Sequence, residues 1–294
     1  MNECIVRAKS LATSENDVLI YGDYGTEKEL LARGIHKMRD KNNNSTFISV
    51  NCSSIPDSSF QKELFGDEEK PGIIQLTKDG TLYLEEISEL SLYSQAMLLE
   101  VIKNRSFRRI GECFDTPVYC KIILSSMKDL LALVKEKNFN LELYYFISVL
   151  PIYIPPLRQR PEDIKVLTDY FIAQYNETYF YAGRKFLHPD SQKVLNNYHW
   201  PGNTIELKNV ITRALYVSQN NVIKPKDITF TDINIENTVY SSSLKDQLQA
   251  FEKKIVEQAL KTYKSARKTA DILDVSHTTI LKKIKKYGLE CYIS

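Results

Sequence analysis

Two groups of residues have the types and spacing to do chemistry. Gly22-Asp23-Tyr24-Gly25-Thr26-Glu27-Lys28-Glu29 follows a short apolar run and opens a helical period. In that context backbone N–H groups and a helix N-terminus hold phosphate. The pattern G-x-x-x-x-G-K fails once, at Glu27, where a second glycine would let the backbone wrap the anion. A carboxylate there adds bulk and like-charge repulsion, while Lys28 keeps the charge to pair with a phosphate. Gly22, Gly25, Thr26, Lys28 and Glu29 are the candidate nucleotide-binding residues. A vestigial structural turn is the equal alternative.

The second group closes the chain. Ser276 is placed to cap a helix His277–Tyr287 that Gly288 stops, after a short helix near Ser265–Leu273 and the turn Asp274-Val275-Ser276. Ile280, Ile284 and Tyr287 take its inner positions, leaving Lys282, Lys283, Lys285 and Lys286 on or beside the outer faces. Before these, Phe251, Ile255, Val256, Ala259, Leu260 and Tyr263 fall on one apolar helical stripe. Two helices joined by a tight turn, the second basic, follow the helix-turn-helix plan. Ser276, His277, Thr278 and Thr279 would approach base edges, and Arg267, Lys268, Lys282 and Lys283 would neutralise phosphates. The neutral explanation is a three-helix tail that docks protein.

The elements that must position these groups follow from the pattern of the whole chain. At 294 residues, with 43% hydrophobic and 26% charged residues, it is an ordinary folded protein of two or three units. Residues 244–294 hold 11 Lys/Arg against 6 Asp/Glu, whereas the rest holds 28 against 31, so only the tail is suited to a polyanion. Met1-Asn2-Glu3-Cys4 starts no signal peptide and no run is long enough to span a bilayer, so a cytoplasmic protein without membrane contact is expected. Five scattered cysteines (Cys4, Cys52, Cys113, Cys120, Cys291) suit reduced thiols. The four histidines show no metal-ligand spacing, and tyrosines such as Tyr144, Tyr145, Tyr179 and Tyr181 read as packing residues. Runs at Val18–Tyr21, Thr46–Val50, Thr81–Leu84 and Val118–Ser125 alternate with helical periods at Glu29–Met38 and Ser91–Ile102. That is the signature of a parallel sheet in an α/β domain. After Pro161 only helical periods follow, at Ile164–Tyr175, Pro189–Asn197 and Thr204–Ser218.

Other segments give the body a family resemblance. Asn51-Cys52, Glu63-Leu64-Phe65-Gly66, Gly80–Ile87 with Glu85-Glu86, Phe107-Arg108-Arg109-Ile110-Gly111, Pro155-Pro156-Leu157-Arg158 and Trp200-Pro201-Gly202-Asn203 occur in one order. With the phosphate loop they resemble the AAA+ domain of sigma-54-dependent activators, over nearly all of residues 10–228. The tail resembles a Fis-type helix-turn-helix, most like the TyrR family in Ser276–Ile280 and Lys286-Tyr287-Gly288, with Asp274 where glycine is usual. The resemblance implies an AAA+ α/β core at 1–160, a helical lid at 161–228, a linker at 229–243 and an all-α helix-turn-helix domain at 244–294.

It also implies what has been lost. Glu85-Glu86 stands for the usual Asp-Glu that serves magnesium and water, with Glu85 one methylene too long for the metal. Met127 stands for a water-orienting asparagine, Asn140 and Phe146 for arginine fingers, and Ile205 for a sensor arginine. The sigma-54-gripping loop is missing from the short segment Asp67–Asp79. Arg108 and Arg109 match positions near a subunit interface, or form a solvated pair. The expectation is a transcription regulator that binds palindromic double-stranded DNA as a homodimer or higher homo-oligomer, without sigma-54, with RNA polymerase contact left open. ATP or ADP would be held weakly, magnesium poorly, and hydrolysis is not expected. The alternatives are an ATP-hydrolysing sigma-54-dependent activator and a pseudo-ATPase that joins the rings of related activators. No sensory domain stands ahead of the core, so a signal is expected through the body or another protein, unless the chain is cut from a longer regulator.

Overall fold

The computed structural model describes residues 2–14, 16–40, 44–230, 252–253, 255–257, 259–260, 263–273 and 275–289. They fall into two compact units, Met1–Phe230 and Thr231–Ser294. Most of the expected linker, with Phe251, Asp274 and Cys291, lies outside the described residues.

The first unit begins with α1 (Asn2–Ala12), β1 (Val18–Gly22), α2 (Lys28–Arg39), β2 (Phe47–Asn51), α3 (Asp57–Phe65), α4 (Ile73–Thr77) and β3 (Thr81–Glu85). It continues through α5 (Leu92–Asn104), the hairpin β4 (Ser106–Phe107) and β5 (Thr116–Pro117), β6 (Lys121–Ser126), α6 (Leu130–Lys135), α7 (Leu141–Ile147) and β7 (Pro151–Ile154). Five strands form one parallel sheet in the order β2-β3-β6-β1-β7. Because successive strand residues point to opposite faces, the apolar runs feed two cores. Leu19, Leu82, Leu84, Ile122 and Leu124 face one; Val18, Ile20, Tyr83, Ile123 and Ile152 face the other. Parallel pairing carries every strand the same way, so Gly22, Asn51, Glu85 and Ser126 end on one edge, where α/β sheets bind ligands.

β6 starts at Lys121 and not at Val118. The Val118 N–H instead donates to Arg105 O at 2.8 Å, tying that stretch to the hairpin. The lid consists of α8 (Pro161–Thr178), α9 (Pro189–Asn196) and α10 (Asn203–Val217) around its own core, with Trp200 fully buried. It also contains a two-residue parallel ribbon, β8 (Phe186–Leu187) with β9 (Val222–Ile223), where helices alone were expected.

In the second unit α11 (Ala266–Ile272) and α12 (His277–Tyr287) pack with Val256 and Leu260 on a small core of Ala270, Ile280, Ile284 and Leu289. Ile255 and Tyr263, expected to be buried, are 39% and 41% exposed. A three-helix unit this small covers only a narrow seam of each helix, and Val256 and Leu260, one turn apart, fill it. Tyr145 and Tyr181 are exposed, with edge-on ring contacts to Tyr144 and to Tyr179 and Phe180. Among the described residues no helix is long and apolar enough to cross a membrane.

Candidate nucleotide cleft and nucleic-acid interface

The loop between β1 and α2 turns back on itself through Gly25 (φ +75°) and enters the helix through Glu27 at φ 62°, ψ 48°. Glu27 is thus a non-glycine residue in the left-handed region, which costs about 1–2 kcal/mol. Its half-buried carboxyl is held above its ordinary pKa by desolvation, an effect that Lys208 and Arg160 only partly offset. The loop is fastened to the lid. Asn203, fully buried, donates its side-chain amide to Tyr24 O at 2.6 Å and accepts from the Leu157 N–H at 2.8 Å. The Thr204 N–H donates to Gly25 O at 3.0 Å, and Arg158 pairs with Asp23 at 3.1 Å. A Cβ on Gly25 would lie 2.2 Å from Gly202 O, so only glycine permits this approach.

Lys28, the candidate phosphate ligand, lies on the cleft wall and is already paired. Its buried ammonium donates to Gly22 O at 3.1 Å and pairs with Glu86 Oε1 at 3.2 Å. Glu86, itself in the left-handed region at φ 56°, accepts from the Met127 N–H through its other oxygen at 2.9 Å. The lysine that would meet a phosphate and the carboxylate that would polarise water therefore satisfy one another. Glu85 has its carboxyl raised by burial first, then by Glu86 and Glu29. Glu29 is spanned by Arg33 one turn on, at 2.7 Å. Thr26 Oγ1 donates to Asp23 O at 2.8 Å, closing the loop internally.

These groups line a cleft of about 560 Å³ with Tyr24, Leu30, Asn51, Ser53, Glu89, Met127 and Ile205. Its carboxylates are Glu27, Glu29, Glu85, Glu86 and Glu89, its cations only Lys28 and Arg33. A triphosphate entering it would meet an excess of like charge, and no free lysine. The backbone has the cradle's outline, and carboxylates outnumber cations on its walls. Asn140 spends its side chain capping α7, accepting from the Glu142 and Leu143 N–H groups, and Phe146 lies half exposed near Lys103.

Arg108 pairs with Asp115 within the hairpin, while Arg109 pairs with Glu112 and donates to Asp67 O, tying the hairpin to the turn that follows α3. Between Gly66 and Gly80 the chain makes a tight turn, with the Asp67 N–H donating to Lys70 O and Gly66 bridged to Pro71, and then runs straight into α4.

In the second unit the expected helix ends are present. Ser276 Oγ accepts from the Thr279 N–H at 3.1 Å, and Gly288 takes the left-handed conformation at φ 65°. His277 and Thr278 are exposed and Thr279 half-buried, while Ser276 Oγ lies within hydrogen-bonding distance of both threonine hydroxyls. Arg267, Lys268, Lys282 and Lys285 are exposed and form no ion pair among the described residues. Lys283 departs from expectation: it is paired with Glu252, which also accepts from the Tyr287 hydroxyl at 2.5 Å. It braces the first helical segment against α12 and is not a free phosphate contact.

Three site residues escaped the sequence reading. Asn203 bridges loop and lid, Arg158 anchors Asp23, and Arg33 supplies the cleft's second cation. The Trp-Pro-Gly-Asn motif marked Asn203, but not what it holds.

Family models match the whole order of units: a Sigma-54 interaction domain at residues 1–153, an AAA+ ATPase lid domain at 158–243 and a Helix-turn-helix domain at 241–290. The chain is 36% identical over 296 residues to the HTH-type transcriptional regulatory protein TyrR of Salmonella typhimurium, covering 98% of this chain and 57% of that protein. It is 33% identical over 313 residues to the Regulatory protein AtoC of Escherichia coli, covering 99% and 66%. It thus spans between about half and two thirds of the length of these relatives. Among solved structures it is similar to NtrX from Brucella abortus in complex with ATP, at 26% identity and a TM-score of 0.73, over 98% of this chain and 67% of that one.

Proposed function

The chain belongs to the sigma-54 interaction domain family, joined to an AAA+ lid and a C-terminal helix-turn-helix, and on that premise we propose that it regulates transcription by binding double-stranded DNA. In this reading α12 enters the major groove, with His277 and Thr278 at base edges and Arg267, Lys268, Lys282 and Lys285 on phosphates. The observation that carries it is the face of α11 and α12, where Arg267, Lys268, Lys282 and Lys285 are exposed and form no ion pair among the described residues, on a unit with a capped helix. The relatives' names, as regulatory proteins, support it.

The body acts here as a scaffold that brings two readers together, so the site is palindromic, with half-sites spaced by whole helical turns. It holds ATP or ADP weakly and does not hydrolyse ATP. The pairing of Lys28 with Glu86, the excess of carboxylates in the cleft and the apolar Ile205 on its wall support that. The short, closed turn from Gly66 into α4 supports regulation without a grip on sigma-54. Selection from a random duplex pool with the full chain, followed by footprinting, is expected to yield one palindromic sequence. Recovery of no sequence, together with measurable ATP turnover, would replace this reading by that of a working ATPase.

A further inference from the structure

The outward face of α12 holds one residue that phosphate binding does not explain. Leu281 is 45% exposed, on a face whose other members, His277, Thr278, Lys282 and Lys285, are polar and exposed. At about 100° per residue, His277, Leu281 and Lys285 follow one another along the helix, each displaced by about 40° from the last. The isobutyl group therefore stands between the imidazole and an unpaired ammonium, one turn into the helix. Its neighbours Ile280 and Ile284 supply the core side, and Leu281 takes no part in that cluster. Ile272 and Val275, also exposed, lie on α11 and in the turn.

An exposed apolar side chain flanked by Lys282 and Lys285 has one complementary surface in a major groove, the 5-methyl group of thymine, which projects there beside the base's hydrogen-bonding edge. The flanking lysines would fix the helix on phosphates and carry no sequence information. A protein partner fits less well, because the same face would bring unpaired lysines into an apolar contact.

We propose that Leu281 is a specificity-determining residue that packs on the methyl group of one thymine in each half-site. This rests on the reading of α12 as the DNA-contacting helix. The test begins with the full chain and a random duplex pool. In the enriched duplex each thymine is replaced in turn by deoxyuridine, which removes only the methyl group, and binding is followed by fluorescence anisotropy. One thymine per half-site is expected to weaken wild-type binding about fourfold on losing its methyl, the size of one buried methyl-sized group. Leu281→Ala should bind the thymine duplex about as weakly and be indifferent to uridine there. Leu281→Met, which keeps the apolar reach, should retain the penalty. Since Leu281 is exposed, the variants should melt with the wild type. An enriched sequence with no Leu281-dependent uridine effect overturns this inference and leaves the regulator reading standing. Failure to enrich any sequence overturns both.

Discussion

The phosphate loop and the recognition helix both present lysines at the start or along the outside of a helix, yet they use them in opposite ways. In the cleft Lys28 is buried and bound to Glu86 and Gly22 O. On α11 and α12, Arg267, Lys268, Lys282 and Lys285 are exposed and form no ion pair among the described residues. A cation that has a partner within its own fold contributes to architecture; one that has none is ready for a partner from outside. The difference teaches that a motif's residue types do not by themselves say where its charge is spent.

The comparison breaks most visibly on the DNA side. Replacing Arg267, Lys268, Lys282 and Lys285 together by alanine should lower affinity on the order of a thousandfold at 0.15 M salt, and flatten the log–log salt slope by about four. Anisotropy titrations at several salt concentrations read both. Lys283→Ala should leave the slope nearly unchanged and lower stability instead, because its charge is already matched by Glu252.

On the cleft side the next largest effect is on folding. Lys28→Ala leaves Glu86 charged and buried without its partner, a loss of about 3–5 kcal/mol in denaturant unfolding. Adding Glu86→Gln should recover most of it. A loss below about 1 kcal/mol would show that Lys28 waits for a ligand after all.

Smaller again is the effect of restoring the missing glycine. Glu27→Gly relieves the left-handed strain and removes a carboxylate, so ADP affinity by calorimetry should rise about tenfold and stability by about 1 kcal/mol. ATP turnover should stay at background, since Met127 and Ile205 are untouched.

The smallest is a pH effect. Glu27 and Glu85 have carboxyls raised by burial, so the fold binds more protons than the unfolded chain between the ordinary and the raised values. Their contribution to stability should therefore fall as pH rises through that window and be flat above it. Glu27→Gln should reduce the slope of melting temperature against pH there.

Much of this was legible in the residues. The buried runs at Val18 and Thr81 gave β1 and β3 within a residue, and Ser276 with Gly288 marked both ends of α12, because caps and apolar runs are local signals. β7 was missed, since it is four residues long, opens on Pro151 and lies at the sheet edge, the one place a proline is tolerated. The fates of Lys28 and Lys283 were not legible either. Each is decided by a carboxylate far along the chain, Glu86 and Glu252, and helical spacing cannot announce a pairing that only the tertiary fold makes.

The fastening of the phosphate loop to the lid by Asn203 has a mechanical consequence. Tyr24 O and Gly25 O are held by donors of the lid, and the Leu157 N–H is held by the same side chain. The joint behaves as a rivet and not as a hinge: loop and lid should open together or not at all. The amide protons of Leu157 and Thr204 should then exchange with solvent only when the body as a whole comes apart, and nucleotide should change their rates little.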